Sequence, residues 1–418
     1  MTKRLILAFV FLSWHLVACS NGDSGISSGL PDKPSAEEDS PGTETISEEM
    51  RVKITGEDLY ISAKLDAKTD ILYWFKKCMF NELFTFYRVG TIDNNMPTPA
   101  TLPDASPTSL LNLAYSDNIG PFNITGYGWC GGNHPYLDEV TQTARNIGYR
   151  IYIDGKEIKT DLSTLTKEIK IEVINEIMNP SKADTSSGKT LLNEILCIET
   201  VNYSIYRNNI QVLVTHEFQN EAPVTVQMYY GMQSMFDKET HTLTANGKYV
   251  DWTVQKDVST FTKKEYPSFR RFIEKSANAY QSSYLFADGL GNHEEISDDD
   301  IIFIGNSSNK TYHKIIADRE HKKGDIIHWS GVYTWFKSPV SDDDDLLCYE
   351  GVIDNKKVLF IDCKKSVDRT IQLPVDYTKK SFTIIEKSKS ITITGNKVTA
   401  KGLRIVSDGS GSCVITFD

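Results

Sequence analysis

Short runs in which apolar and polar side chains alternate recur along most of this 418-residue chain. Alternation of this kind places the apolar side chains on one face of a β-strand and the polar ones on the other. It is clearest in residues 168–173 and 211–218, and the turn-forming pairs Asp154-Gly155 and Asn208-Asn209 stand beside such runs. No long segment keeps the 3.6-residue period of an amphipathic helix. The pattern predicts an all-β fold, a large antiparallel β-sandwich with few helices.

Residues 267–279 are the one stretch with a helical appearance, with Pro267 in its first turn. We predict a short helix there, and a sub-boundary near 245–280 if the chain holds two β domains. The length of residues 51–418 favours about two domains, although large β folds are a common exception. Because no Pro/Ser-rich linker interrupts residues 51–418, we expect them to form one continuous β-supersandwich. A separate C-terminal β domain is the alternative.

The first 18 residues have the features of a secretory signal peptide. Lys3 and Arg4 precede the apolar run 5–12, which is much shorter than the ~20 residues that span a bilayer. The following Leu16-Val17-Ala18-Cys19 resembles a lipobox, the motif at which bacterial lipoproteins are cleaved before an acylated cysteine. The resemblance implies that Cys19 is the lipidation site and that a lipid anchors the protein to a membrane. The alternative is an ordinary signal peptide with a cysteine nearby.

Residues 19–50 have the composition of a disordered acidic tether. Fourteen of these 32 residues are Ser, Gly or Pro, and eight acidic residues stand against one basic residue, Lys33. Such a stretch buries too little apolar surface to fold, and its charge repulsion extends it. Its net charge of −7 is most of the −11 of the chain, so the remainder has no electrostatic footprint for nucleic acid. Ser20, rather than Asp, after the acylated cysteine implies an outer-membrane location in the cell envelope, by resemblance to Gram-negative lipoproteins. The face of that membrane stays open.

Six cysteines follow Cys19 at wide spacing: Cys78, Cys130, Cys197, Cys348, Cys363 and Cys413. In an exported chain they allow 15 sets of three disulfides, and buried free thiols are the open alternative. Cys348 and Cys363 flank a predicted hairpin turn at Asp354-Asn355, so they are the pair we select for a disulfide. No CxxC occurs, and the acidic runs 297–300 and 341–345 lack the oxygen spacing and glycine of a calcium loop. We therefore expect no metal site and no cofactor.

Residues 115–145 are unusually rich in glycines, aromatic rings and hydrogen-bonding groups. Glycines let the backbone approach a ligand closely, the rings of Trp129 and Tyr136 can stack on sugar faces, and Asn133 can supply directional hydrogen bonds. Further polar candidates are Asp117, His134 and Arg145. The alternative is a structural loop whose polar groups satisfy its own backbone.

A family resemblance extends across residues 55–240. It lies in the motifs Ser-Asp-Asn-Ile-Gly-Pro (116–121), Gly-Gly-Asn-His (131–134), Thr-Ala-Arg (143–145) and Tyr-Tyr-Gly-Met-Gln (229–233). In this order they resemble a group of bacterial and prophage proteins that is similar in turn to the galactose-mutarotase-like β-supersandwich. The resemblance implies a supersandwich and a carbohydrate ligand, oligosaccharide or polysaccharide, and it adds Tyr230 and Gln233 to the candidate ligand-binding residues.

Sugar chemistry of the mutarotase type needs a general acid and a general base on opposite sides of a ring. His134 and His216 are the histidine candidates, with Asp117 and Arg145 as further catalytic candidates. His216 shares its strand face with the apolar residues Val212 and Val214, so a buried core histidine is the alternative. No position matches the catalytic glutamate of a mutarotase.

Three functions remain open for the chain. The first is a surface-exposed lipoprotein of supersandwich type that recognises or processes extracellular carbohydrate, which predicts a pocket where Asp117, His134 and Arg145 converge. The second is a non-catalytic lipoprotein that binds glycan or another surface, which predicts a shallow face lined with aromatic rings. The third is a structural component of the envelope, in which these side chains contact only their own loop.

Overall fold

The computed structural model describes residues 46–100, 111–113, 120–235, 241–243, 247, 249–251, 259–262, 271–276, 279–290, 300–305 and 310–418. Those residues belong to one compact unit. Most of them lie in antiparallel β-strands, so the predicted all-β antiparallel sandwich is confirmed.

The strands of the first half are, in chain order, β1 (Met50–Thr55), β2 (Asp58–Lys64), β3 (Thr69–Cys78), β4 (Leu83–Asp93), β5 (Leu111–Leu113), β6 (Phe122–Ile124), β7 (Gly128–Cys130), β8 (Ala144–Ile153), β9 (Lys156–Ile158), β10 (Leu162–Thr166), β11 (Ile169–Met178), β12 (Ala183–Asp184), β13 (Leu191–Leu192), β14 (Ile195–Tyr206), β15 (Asn209–Phe218) and β16 (Val224–Met235).

The strands of the second half are β17 (His241–Leu243), β18 (Tyr249–Asp251), β19 (Ser259–Thr262), β20 (Arg271–Lys275), β21 (Tyr280–Leu290), β22 (Asp300–Gly305), β23 (Lys310–His321), β24 (Ile326–Phe336), β25 (Ser341–Asp342), β26 (Leu346–Ile353), β27 (Lys356–Cys363), β28 (Val367–Ile371), β29 (Phe382–Lys387), β30 (Ile391–Ile393), β31 (Leu403–Ser407) and β32 (Gly411–Phe417). Short 3₁₀ turns occur at Pro180–Lys182 and Val375–Tyr377.

Three sheets share the main core. The large sheet has the order β18-β17-β20-β21-β24-β15-β14-β11-β8-β9, the N-terminal sheet β10-β1-β2-β3-β4-β5, and the front sheet β19-β22-β23-β16-β6-β7. One continuous cluster of buried side chains joins the inner faces of all three. Each large apolar side chain buried there stabilises the fold by roughly 1.5–3 kcal/mol relative to an exposed position.

The C-terminal strands form a second, smaller sandwich. A five-stranded sheet, β25-β26-β27-β32-β29, and a three-stranded sheet, β28-β31-β30, enclose a core of their own. The five-stranded sheet also packs on the large sheet, with Tyr349 and Phe360 on one side of the contact and Tyr284 and Phe336 on the other. The C-terminal sandwich is thus joined to the main core by a third apolar cluster.

The predicted helix at residues 267–279 is wrong where the structure describes this segment, because Arg271–Lys275 is strand β20. Arg271, Phe272, Ile273 and Glu274 are all buried, since β20 lies between the main core and the C-terminal sandwich. A strand that is buried on both faces carries no alternation of apolar and polar residues, and a short run of this kind is easily mistaken for a helix.

The selected disulfide is also wrong. All six cysteines are buried free thiols. Cys348 pairs with Ile361 and Cys363 with Leu346 across the β26–β27 ladder, so the two thiols are not directly opposite each other. The hairpin itself is confirmed: Asp354 and Asn355 form its two-residue turn with φ of 48° and 58°, as a type I′ turn requires.

Cys19, the signal segment and residues 19–45 lie outside the described residues. Met50 already belongs to β1 and is completely buried. Within the part of the chain described, no helix has the length and apolar character needed to cross a membrane.

Candidate functional site

Four aromatic rings form a continuous row on the outer face of the front sheet. Trp129 in β7 stacks on the imidazole of His134 with 5.2 Å between ring centroids, and on Tyr230 in β16 with 6.0 Å. Tyr230 in turn contacts Tyr312 in β23 at 4.1 Å. All four side chains are partly exposed. We call His134, Trp129, Tyr230 and Tyr312 the aromatic row.

The alternation of the strands explains why these rings point outward. Tyr229 is completely buried, with its ring stacked on Phe122 at 4.4 Å, so its neighbour Tyr230 lies on the opposite face. In the same way, Cys130 is buried beside Trp129 and His313 is buried beside Tyr312. The Tyr229-Tyr230 pair of the sequence motif therefore divides its two rings between the core and the surface.

A side chain that the sequence analysis missed holds the His134 loop in place. Asn81, buried in the β3–β4 turn, donates from Nδ2 to the carbonyl oxygens of Gly132 at 2.8 Å and His134 at 3.2 Å. Its Oδ1 accepts the backbone N–H of Thr143 at 3.0 Å. Asn81 lies 50 residues before this loop, and an isolated asparagine in a turn carries no sequence signal for such a contact. It ties the loop to the core and so fixes the ring of His134 against Trp129.

The side chain of Asn133 makes a structural hydrogen bond to the backbone, as expected if residues 115–145 form a structural loop. Its Oδ1 accepts the backbone N–H of Phe80 at 2.6 Å, so its side-chain oxygen is used inside the protein. Gly131 and Gly132 before it have φ of 78° and 50°, the left-handed region that favours glycine. The Gly-Gly-Asn-His motif thus builds a tight loop that presents His134.

Two side chains of the aromatic row, His134 and Tyr312, have shifted pKa values. Burial, and then the charge of Lys310, lower the pKa of His134 to about 4, so its imidazole is neutral at physiological pH. Burial, and then the neighbouring Tyr230, raise the pKa of Tyr312, which keeps its hydroxyl protonated. The row therefore offers neutral rings with hydrogen-bonding edges, and a lysine stands close to one end.

The remaining predicted residues lie elsewhere or make other contacts. Arg145 in β8 is exposed and forms an ion pair with Glu176 of the adjacent strand β11 on the large sheet. Tyr136 is partly exposed in the loop after His134, and its backbone N–H bonds to the Thr141 carbonyl. Gln233 is only 4% exposed. Asp117 lies outside the described residues.

His216 occupies the interior, as the core-histidine alternative describes. Its Nε2 lies 2.9 Å from the Glu199 carboxylate, and both side chains are completely buried. Glu199 also accepts from Asn175 at 2.9 Å, and Asn175 accepts from Asn146 at 2.9 Å. The four residues form a polar line across the neighbouring strands β8, β11, β14 and β15, closed by the edge-on ring of Phe122 at 4.9 Å from the imidazole.

The structure thus brings together Trp129, His134 and Tyr230 and leaves Arg145 and His216 apart from them. A cavity of about 270 Å³ elsewhere, lined by Glu57, Asp58 and Tyr149 among others, contains none of the predicted site residues. Over the described ranges, no group of three or more His, Cys, Asp or Glu side chains is placed to hold a metal ion. Stacking of flat rings is the chemistry that the aromatic row supports.

No protein-family model and no curated protein matches this chain. Among solved structures, it is similar to the GH36 α-galactosidase AgaB from Geobacillus stearothermophilus, with a TM-score of 0.39, 8% identity, and 69% of this chain aligned with 41% of that one. It is also similar to the galactosidase domain of the α-galactosidase-sucrose kinase AgaSK (TM-score 0.36, 9% identity, 66% and 40%) and to a polysaccharide lyase (TM-score 0.27, 8% identity, 82% and 45%). The chain spans about two fifths of the length of these proteins. At these scores the likeness indicates nothing specific about function.

Proposed function

We propose that this protein is a lipid-anchored lipoprotein that binds extracellular carbohydrate on the outer face of its front sheet. The aromatic row is the observation that carries the proposal. Sugar rings have apolar faces that stack on Trp and Tyr, and the row offers four adjacent rings that are partly exposed. Partly exposed rings are buried less completely than core rings and so stabilise the fold less. A group of such rings on the surface is typical of an interaction site.

Binding without catalysis fits the site better than processing. Acid–base chemistry on a sugar needs two titratable groups that reach the same ring. Among the catalytic candidates of the sequence analysis, His134 is the only one that lies in the row within the described residues, since Arg145 pairs with Glu176 and His216 pairs with Glu199. The four rings lie side by side and each is partly exposed, an arrangement that suits recognition of a polymer.

Anchoring to the cell envelope rests on the sequence. The lipobox-like segment before Cys19 supports acylation, and the acidic segment between Cys19 and β1 would separate the sandwich from the bilayer. Ser20 supports the outer membrane as the location. The partners of the protein are then a membrane, through the lipid on Cys19, and a glycan, through the aromatic row.

The test is glycan binding by the full chain in mild detergent, on an array of oligosaccharides and polysaccharides. We expect at least one glycan to bind, and Trp129→Ala to weaken that binding about tenfold or more, which corresponds to ~1.4 kcal/mol. Tyr152→Ala is the matched control, because Tyr152 is a partly exposed tyrosine on β8 of the large sheet. Full binding by Trp129→Ala, or no binding to any glycan, would contradict the proposal.

The same glycans are incubated with the protein and searched for new products by mass spectrometry. An unchanged product profile is expected for a binding protein. New products that disappear in His134→Ala would instead make the aromatic row part of an active site and replace recognition by processing.

A further inference from the structure

Two lysines flank the aromatic row on strand β23. Lys310, Tyr312 and Lys314 alternate with the buried residues Thr311 and His313, so the three side chains share the outer face of the front sheet. Both lysines are partly exposed. Tyr312 of the row therefore has an ammonium group on either side of it along the strand.

Each lysine also lies beside a further ring of the row. Lys314 is the cross-strand partner of Tyr230 in the β16–β23 ladder. Lys310 is close enough to His134 for its charge to contribute to the lowered pKa of that imidazole. The positive charge is thus placed at the same surface as the stacked rings.

Neither lysine has an ionic partner among the residues that the structure describes. In the part of the chain that the structure describes, neither Lys310 nor Lys314 forms an ion pair or a side-chain hydrogen bond. Some exposed lysines of the chain are paired, such as Lys77 with Glu57 at 3.0 Å and Lys365 with Asp345 at 2.9 Å. Lys310 and Lys314 therefore add two cations, without an ionic partner in the described residues, to the aromatic row of a chain whose net charge is −11.

The usual structural roles of a strand lysine do not account for the pair. Lysines protect exposed sheet edges from pairing with another chain, but β23 lies inside the front sheet between β22 and β16. The nearest carboxylates along β23 are Asp318 and Glu320, at least four residues beyond Lys314 and hence ~13 Å or more away along the strand. At this spacing along the strand, neither carboxylate pairs with the ammonium group of Lys310 or Lys314.

We infer that the glycan bound by the aromatic row is anionic, a polysaccharide that carries carboxylate or sulfate groups. The inference rests on the proposed function and narrows it to a ligand class. Lys310 and Lys314 lie four residues apart, which is ~13 Å along a strand, so they meet separate charged units of an extended polymer. The rings contact the sugar faces while the ammonium groups pair with the anionic substituents.

The experiment compares acidic and neutral polymers with the full chain in mild detergent. Polygalacturonate and its methyl ester share a backbone with and without carboxylates, dextran sulfate and dextran do so for sulfate, and a glycan array covers other backbones. We expect the tightest ligands to be acidic and their affinity to fall as salt is raised. The carboxylate and sulfate pairs separate the two sources of negative charge.

Lys310→Gln combined with Lys314→Gln should weaken acidic-glycan binding at least tenfold and flatten the salt dependence. Lys322→Gln combined with Lys323→Gln is the matched control, because it removes two charges from the exposed β23–β24 turn. Strongest binding to neutral glycans, or full affinity of the Lys310/Lys314 variant, overturns the anionic ligand and leaves carbohydrate binding intact. Absence of binding to every glycan overturns the proposed function itself.

Discussion

The hydroxyl of Thr311 in β23 donates a 2.8 Å hydrogen bond to Oε1 of Glu274 in β20. Both side chains are buried, and the bond joins the front sheet to the large sheet inside the sandwich. Burial raises the pKa of Glu274 to about 8, against the opposing effect of the Thr311 bond. Within the described residues Oε2 has no partner, whereas the buried carboxylates Asp70 and Glu199 lie beside Lys64 and His216.

Replacing Glu274 by glutamine should stabilise the protein at neutral pH. The folded-state pKa of Glu274 lies above its unfolded value of 4.5, so the stability it contributes is complete below pH 4.5 and is lost as pH rises through about 8. At pH 7 the loss is on the order of 3 kcal/mol. Urea unfolding of both proteins at pH 5 and pH 8 measures this, with a larger advantage of Glu274→Gln expected at pH 8. Equal differences at the two pH values would show that Glu274 titrates normally.

Loss of the His216 imidazole should destabilise the fold and leave glycan binding unchanged. His216→Ala leaves Glu199 without its 2.9 Å partner in a completely buried position, which costs roughly 3–5 kcal/mol if the pair is charged and ~1–3 kcal/mol if it is neutral. His216→Gln keeps a hydrogen-bonding group and should lose less. The measurements are urea unfolding and affinity for the glycan found on the array. A His216→Gln protein of native stability that no longer binds would place His216 in the site.

Gly231 of the Tyr-Tyr-Gly-Met-Gln motif lies in close contact with the core. A Cβ added there would lie 2.3 Å from the Ile315 side chain and 2.9 Å from the indole of Trp329. Gly231→Ala should therefore cost about 1–3 kcal/mol by overpacking. Gly148→Ala is the control, since a Cβ at Gly148 meets nothing within 4 Å. The unfolding free energies of the two variants test the difference. A Gly231→Ala protein with the wild-type unfolding free energy would mean that the core side chains shift to accommodate the added methyl group.

Strand alternation predicted the architecture well because most strands bury one face only. In β15, Val212, Val214, His216 and Phe218 are buried while Leu213 and Glu217 are exposed, as the pattern indicates. It failed at β20, where layers on both sides remove the period. The disulfide choice failed because register, which the sequence leaves undefined, places Ile361 rather than Cys363 opposite Cys348.

The aromatic row was only partly predictable for a similar reason. Trp129 and His134 are close in sequence, and the motif resemblance added Tyr230. Tyr312 joins them only because β23 pairs with β16, a contact between residues about 80 positions apart. The flanking lysines Lys310 and Lys314 carry no motif, so their role follows from the pairing of strands alone.

Acylation at Cys19 predicts where the protein partitions. Cells grown with an alkyne-tagged fatty acid should label the wild-type chain, and the label should co-fractionate with membranes. Cys19→Ser should abolish labelling, because it removes the thiol to which the lipid is attached. Cys78→Ser is the control for general thiol acylation, because Cys78 is a buried thiol of the sandwich. Labelling that persists in Cys19→Ser would contradict the lipoprotein assignment.

The pKa of His134 depends on both its burial and the charge of Lys310. Its folded-state pKa of about 4 lies below the ordinary 6.5, so the stability it contributes is complete above pH 6.5 and is lost as pH falls towards 4. Removing one of the two causes, by Lys310→Gln, should raise the pKa of His134 but leave it below 6.5, because burial is the larger cause. Histidine NMR of wild type and variant measures the shift, with His321, whose pKa burial also lowers to about 4, as an internal reference that should not move. An unchanged pKa of His134 would mean that Lys310 does not face the aromatic row, and the anionic-glycan inference would lose one of its two lysines.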